Sequence, residues 1–406
     1  MSHNILPFGN IQNTSPITIK FYLEKLSLKN FRNHIDLELN INNSPILIYG
    51  DNGSGKTNIL EAISLLNQGK SLRKSTLEDY LCKNIERHSN NRWGINADII
   101  TPNGKFNIGT GPKENSYNKS RIARINSENV PLNSLEKILK ILWITPQMCI
   151  LFQSGMSARR RLIDSLTSSL DHLHLNRVYK YEKLLRQRSK ILIHYNSDQK
   201  WLDSIEAQLS ELSVAITASR IDLINELNDL YDNELKNNLL TNNFPPTEIK
   251  LVGEIENLIS MKPALEVENY IKLMLKKSRN SDENIFSGPN NTKIEILNRI
   301  DNKNVDICST GEQKLILISL ILAHARMLSI RFNMAPILLL DDIIEHLDKK
   351  HRNSLFLEIS RHYGQTWFTS TSKEDFGEYP GLLRKINLTK IINSTNGKYD
   401  FRYGET

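Results

Sequence analysis

A chain of 406 residues is long enough to bury a substantial core and, at about 150 residues per domain, to form two or three domains. Its 39% hydrophobic and 24% charged residues and its mean hydropathy of −0.39 describe a soluble globular protein, while a net charge of +7 and an isoelectric point near 9.0 lean toward a polyanionic partner. No run approaches the roughly 18 apolar residues of a membrane span: the richest, LILISLILAHARML, breaks at His324 and Arg326, so no membrane partner is expected.

Residues 1–16 are a polar extension without the basic start and apolar block of a secretory leader, which makes the cytoplasm the default location. In ILIYGDNGSGKTNILEAISLL, Ile46 to Tyr49 form a short buried strand, and Ile59, Leu60, Ile63 and Leu66 recur at helical spacing. Between them Gly50, Gly55, Lys56 and Thr57 fit G-x-x-x-x-G-K-[ST]. A glycine loop of this kind turns successive backbone N–H groups toward phosphate oxygens at the positive end of a helix. Gly50, Asp51, Asn52, Gly53, Ser54, Gly55, Lys56, Thr57 and Asn58 are therefore the expected nucleotide cradle. Lys56 would reach the β- and γ-phosphates and the Thr57 hydroxyl would hold Mg²⁺.

Cys82, Cys149 and Cys308 are too scattered for a metal site and too few for a disulfide framework, so they read as small buried hydrophobes. From Leu166 to Leu240 the chain is rich in Leu, Ile, Glu, Lys and Asn. The stretches Tyr179–Leu192 and Trp201–Leu235 read as amphipathic helices, folded into an antiparallel hairpin at His194–Gln199. The longer helix would span roughly 50–60 Å. Loops at Thr241–Glu248 and Lys276–Asn291 mark where such an arm ends. Basic clusters stand at Arg159, Arg160 and Arg161, at Arg186, Arg188 and Lys190, and at Lys276, Lys277 and Arg279. Each alone is an ordinary solvated face. Without a helix-turn-helix, zinc finger or stacking platform, any DNA contact they make is directed at the backbone.

Near the C-terminus, CSTGEQKLILISLILAHARML starts a helix at Ser309, Thr310 and Gly311. The strand Ile337 to Leu340 then ends in Asp341 and Asp342, at the strand end where open α/β sheets bind ligands. Asp341 suits a Mg²⁺ shell, and Asp342 suits orienting or deprotonating an attacking water.

Glycine loop, small-residue helix start, acidic strand and the following EHLD together resemble the ABC-type ATPase heads of the SMC and Rad50 group, and within it the RecF family. The likeness is carried by Leu26 to Leu39, Tyr49 to Arg73, Ala158 to Leu166, Ser309 to Ala325, Leu338 to Arg352 and Gln365 to Ser372, in family order. It implies an α/β ATPase head of mixed sheets and helices, with an inserted, mainly helical short arm. The head would comprise 17–165 and 286–406, and the arm 166–285. The signature residues Ser309, Gly311 and Gln313 would face the γ-phosphate held by a second subunit, so that an ATP-dependent homodimer sandwiches two nucleotides. Asp348 resembles the residue that communicates across that interface, Thr369 or Thr371 would sense the γ-phosphate, and Arg32 and Arg73 would contact phosphate or a neighbouring loop.

Function by resemblance is a slow, DNA-stimulated ATPase, with Lys56 and Asp342 catalytic and Thr57 and Asp341 on the metal. It would act on double-stranded and gapped DNA in recombinational repair, with RecR and RecO-type partners. An ATPase serving a nuclease partner is the alternative, opposed by the short arm and the lack of a zinc-hook Cys-x-x-Cys. A transporter ATPase is opposed by the insertion and by STGEQ. Two blocks depart from the family. GPNNTK (Gly288 to Lys293) replaces a block bearing His, Arg and two Asp, and TPQM (Thr145 to Met148) puts Gln147 where an acidic residue is expected near Mg²⁺.

Overall fold

This computed structural model describes residues 21–388, apart from 70, 74, 83–91, 114–119, 194–198, 238–242, 280–286 and 363, together with 399–400. The polar extension 1–16 and most of the expected turn at His194–Gln199 lie outside the described residues.

Two sheets build the head. The first has the strand order β14–β2–β1–β4–β5–β6–β7, with β1 (Tyr22–Phe31), β2 (His34–Asn40), β4 (Gly94–Thr101), β5 (Gly104–Pro112), β6 (Arg121–Ile125), β7 (Glu128–Val130) and β14 (Tyr399–Asp400). It is antiparallel except for the β14–β2 edge. The second is wholly parallel, in the order β13–β3–β12–β11–β8, from β3 (Ile46–Tyr49), β8 (Ile141–Ile144), β11 (Ile337–Leu340), β12 (Thr366–Ser370) and β13 (Arg384–Asn387). Strands covered on both faces need unbroken apolar runs, and ILIY, ILWI and ILLL supply them. A separate ribbon pairs β9 (Thr247–Val252) with β10 (Lys293–Asn298).

The helices are α1 (Lys56–Ser64), α2 (Pro146–Cys149), α3 (Met156–Ser168), α4 (His174–Ile193), α5 (Gln199–Lys236), α6 (Glu254–Met261), α7 (Ala264–Lys277), α8 (Thr310–Phe332) and α9 (Lys349–His362). Helix α5 has 38 residues, about 57 Å at 1.5 Å per residue. Its first half packs with α4, α6 and α7 around Tyr181, Leu202, Leu209, Ile271 and Leu275. Its second half belongs to the head core, where Leu223, Leu227 and Tyr231 join Ile316 and Leu320 of α8. The arm is thus rooted in the head by its own longest helix.

Buried ion pairs fix that root. Asp164 accepts two hydrogen bonds from Arg220, at 2.8 and 2.9 Å, and lies 2.7 Å from His174 Nε2. Arg220 also donates to the Pro289 carbonyl, and Tyr181 to Asn290. The GPNNTK block is therefore a joint between head and arm. Farther out, the buried Glu206 holds both Arg188 and Arg279.

These pairs correct the basic-cluster reading. Arg159 is 2% exposed, ion-paired with Asp306 and bonded to the Phe152 and Ile294 carbonyls, so it is unavailable to DNA. Arg188 and Arg279 are committed inside the arm, while Arg161, Arg186, Lys190, Lys276 and Lys277 stay exposed.

The expectation about apolar runs also changes: α8 is, by length and composition, apolar enough to cross a membrane. However, 67% of its apolar window is buried in the protein. Its polar interruptions find partners there: His324 Nε2 lies 2.8 Å from Ser169 Oγ, and Arg326 pairs with Glu234 and Glu358. It is the central helix of the head. The three cysteines are free, with Cys82 and Cys308 buried and Cys149 half-buried.

Candidate functional site

The glycine loop joins the C-terminal end of β3 to α1, and positive φ angles of 84° at Gly53 and 99° at Gly55 reverse the chain. A Cβ on Gly55 would fall within 2.5–2.8 Å of the Asn33 amide and His34 imidazole and displace those side chains, and its φ of 99° is one that favours glycine. Asn33 and His34 clasp the loop from outside: Asn33 Nδ2 donates to the Ser54 carbonyl, Asn58 donates to Asn33 Oδ1, and His34 Nε2 lies 3.3 Å from the Gly55 carbonyl. Burial lowers the His34 pKa to about 4, which keeps the ring neutral beside the phosphate-facing loop.

Lys56 is 5% exposed and donates to the Gly50 and Asp51 carbonyls at 2.7 and 3.1 Å, curled over its own loop. The start of α1 points its unpaired N–H groups into the same space. The buried Ser54 Oγ has no protein partner, which suits a loop built to take an anion.

Strand β12 lies between β3 and β11 and brings the acidic pair to the loop. The Thr57 hydroxyl faces the Asp341 carboxylate and opposes the rise of its pKa. Thr369 Oγ1 donates to Asp341 Oδ1 at 2.9 Å and accepts from the Asp342 N–H at 2.9 Å. Asp342 has φ 48°, a left-handed conformation that Asp tolerates better than most residues, and its Oδ1 is buried without a protein partner. Burial raises both carboxyl pKa values; the Glu345 charge raises Asp342 further, and hydrogen bonds from Thr57 and Thr369 oppose the rise at Asp341.

Mg²⁺ fits this donor set. The Thr57 hydroxyl and Asp341 carboxylate are hard oxygen ligands that face each other beside the unpartnered Asp342 Oδ1. Among the described residues no cluster of three or more His, Cys, Asp or Glu side chains forms a protein-only metal cage.

At the signature, Ser309 caps α8 reciprocally with Glu312, and Thr310 and Gly311 are exposed. A Cβ on Gly311 would meet nothing within 4 Å, so this helix start is open toward an incoming surface. Gln313 departs from its expected place: it is 5% exposed, donates to the Val305 carbonyl and accepts from Gln153. It braces the segment before the signature from within. Asp348 caps α9 through the His351 N–H. Gln147 is exposed in α2, which follows β8, the parallel neighbour of β11.

Several contributors escape motif reading. The fully buried Glu61 takes two 2.9 Å bonds from Arg32 and a longer one from Ser71, tying α1 to the β1–β2 turn and to the loop after α1. Arg32 is thereby a loop anchor, while Arg73 donates to Asn58 beside the cradle. Arg121 holds the Gln68 and Gly69 carbonyls after α1, where a cation is favoured. Glu345 Oε1 accepts from Ser370 Oγ, Thr371 N and Thr371 Oγ1. Only the spacing of Glu345 from Asp341 could have hinted at it.

Fold and site define an ABC-type P-loop ATPase head with an inserted helical arm. The model of the RecF/RecN/SMC N terminal domain matches residues 22–385. The chain is 34% identical over 380 residues to the DNA replication and repair protein RecF of Mesorhizobium japonicum, covering 93% of this chain and 97% of that one. To RecF of Agrobacterium fabrum it is 35% identical over 379 residues, covering 92% and 98%. Among solved structures, the recombination mediator protein RecF of the RecFOR pathway, as RecF-ATPrS, superposes with a TM-score of 0.76 at 22% identity, covering 91% of this chain and 97% of that one. The chain belongs to the RecF family of DNA replication and repair proteins.

Proposed function

We propose that the chain is an ATP-switched clamp on duplex or gapped DNA, a slow, DNA-stimulated ATPase that assists recombinase loading in recombinational repair. Observation supports it at one point above all: Lys56, Thr57, Asp341 and Asp342 converge through Thr369, while Ser309 to Gly311 lie open at the start of α8. The first group can grip and hydrolyse a nucleotide. The second is an anion-favouring helix start placed to close over another subunit's nucleotide.

In this reading Lys56 releases the loop carbonyls and turns to the β- and γ-phosphates, and the loop N–H groups hold the remaining oxygens. Bound Mg²⁺, held by Thr57 and Asp341, supplies neutralisation of phosphate charge. Asp342, with an unpartnered buried oxygen and a raised pKa, orients the attacking water and accepts its proton. Products are ADP and phosphate. RecR and RecO-type proteins are the partners proposed from family membership, and the cytoplasm is the proposed location.

Mixing variants tests the composite site. Lys56→Ala disables a subunit's own pocket, and Ser309→Arg blocks the face it offers its partner; each alone should hydrolyse almost nothing. Ser309→Arg also loses a helix cap worth about 1 kcal/mol, so its melting and its ATP binding are measured first, and both should survive. Mixed, the two should recover part of the wild-type rate, rising with protein concentration. A dead mixture in which heterodimers demonstrably form removes the trans-acting signature.

A further inference from the structure

Two segments of chain meet beside the acidic pair, the one that leaves β11 through Asp341 and Asp342 and the one that leaves β12 through Thr371. They are cross-linked twice. The inner link is Thr369, whose hydroxyl donates to Asp341 Oδ1 and accepts from the Asp342 N–H. The outer link is Glu345, whose Oε1 accepts from Ser370 Oγ at 3.1 Å, from the Thr371 N–H at 2.6 Å and from the Thr371 hydroxyl at 2.9 Å. A single carboxylate oxygen thus gathers every one of those donors from the facing segment.

The base from which Glu345 reaches is fixed. Ile343 and Ile344 before it are fully buried in the head core, and the His346 carbonyl after it accepts a 2.7 Å bond from Lys314 of α8. Glu345 and Thr371 are themselves exposed, at the C-terminal end of the parallel sheet where the glycine loop also opens. Water competes for hydrogen bonds at an exposed oxygen, so these act on geometry more than on folding stability.

Between the two links stands Asp342, at φ 48°. A left-handed residue other than glycine persists where its surroundings over-determine it. Thr369 holds the Asp342 N–H on one side, and the buried isoleucines with the Glu345 latch hold the chain on the other. With its Oδ1 unpartnered, the Asp342 carboxylate depends on that backbone for its direction. We propose that Glu345 is a positioning residue for the hydrolysis assigned above, an inference that rests on that reading: by holding Ser370 and Thr371 it keeps the Asp342 carboxylate aimed at the attacking water.

Substitutions separate reach from charge. Glu345→Gln keeps an acceptor oxygen in the same place without the charge, Glu345→Asp keeps the charge but falls one methylene short, and Glu345→Ala keeps neither. Steady-state ATP hydrolysis, nucleotide binding and melting are measured on the full chain. Glu345→Ala should lower kcat by roughly tenfold to a hundredfold, the scale of a displaced catalytic group, with ATP affinity and melting temperature close to wild type. Glu345→Gln should restore most of that loss, and Glu345→Asp should restore little. The reverse order, with Glu345→Asp active and Glu345→Gln impaired, overturns the assignment in favour of charge. Wild-type kcat in Glu345→Ala overturns it outright, and so does a loss of kcat in step with ATP affinity and melting. A wild-type chain that binds ATP and hydrolyses none would fail the ATPase reading itself, a result distinct from each of these.

Discussion

Asp341 and Asp342 are adjacent yet held differently. Asp341 accepts a hydrogen bond from Thr369 and faces the Thr57 hydroxyl, whereas Asp342 keeps a buried oxygen without a protein partner. Asp341→Asn should therefore weaken Mg²⁺-dependent ATP binding tenfold or more. Asp342→Asn keeps a residue type that tolerates φ 48°, so binding should hold while turnover falls by a factor on the order of 10²–10⁴, the range of a lost acid or base. Equal loss of nucleotide affinity in both variants would reassign them. Glu136 supplies a prediction from linkage. Its folded-state pKa is pushed up to about 7 by burial, above the ordinary carboxylate range. Its favourable contribution is thus complete below the unfolded pKa and is lost as pH rises through about 7. Glu136→Gln should match wild type near pH 4.5 and exceed it in stability at pH 8, by on the order of 1–3 kcal/mol. Chemical denaturation at both pH values checks this, and a less stable variant at pH 8 would show that the carboxylate has a partner in solution.

Among elements, those legible in the sequence are the ones whose logic is local. Strand, glycine loop and helix follow one another within twenty residues, and the Ser309 start and the β11 acids each announce themselves in one short segment. What stayed hidden depends on pairing across the chain. Nothing near Arg159 indicates that Asp306, 147 residues on, will draw it inside. Likewise nothing near Glu61 shows that Arg32 will arrive from the β1–β2 turn. Gln313 misled for the opposite reason, because a motif position says nothing about which way a side chain turns. The arm makes the energetic point. Glu206 is 3% exposed and holds two guanidinium groups, one from α4 and one from just after α7. Glu206→Leu leaves both without that carboxylate and should cost about 3–5 kcal/mol. Limited proteolysis should then cut the arm first, while the nucleotide cradle, built on other elements, retains ATP binding. Arm and cradle lost together would mean that the arm supports the head's stability more than its packing suggests.

At the scale of the molecule, charge and architecture set the expectations. If DNA is held through its phosphates, log affinity should fall linearly with log salt, with a slope near −0.9 per phosphate contact and little dependence on sequence. Removing the exposed Lys276 and Lys277 tests one candidate face, and a flatter slope places it on DNA. Arg159→Ala should leave the slope unchanged and lower the melting temperature, since that residue is interior. A flat salt response in the wild type would remove backbone-directed binding altogether.

The interleaving of the parallel sheet governs how the chain can be made. Among the described residues its first two strands, β3 and β8, do not pair with each other: β3 pairs with β12 and β13, and β8 with β11. A nascent chain that has emerged as far as β8 therefore carries two apolar strands with open edges. Every partner they need lies beyond the arm. At about 5–20 residues per second, the interval between β3 and β12 is roughly a quarter of a minute to a minute. For that time ILIY, and for about 10–40 s between β8 and β11 ILWI, are unpaired β-prone segments, the kind that seed aggregation. Premature termination after α8 should accordingly yield an insoluble product and not a stable half-head, which gel filtration of a chain ending at Asn333 would show directly.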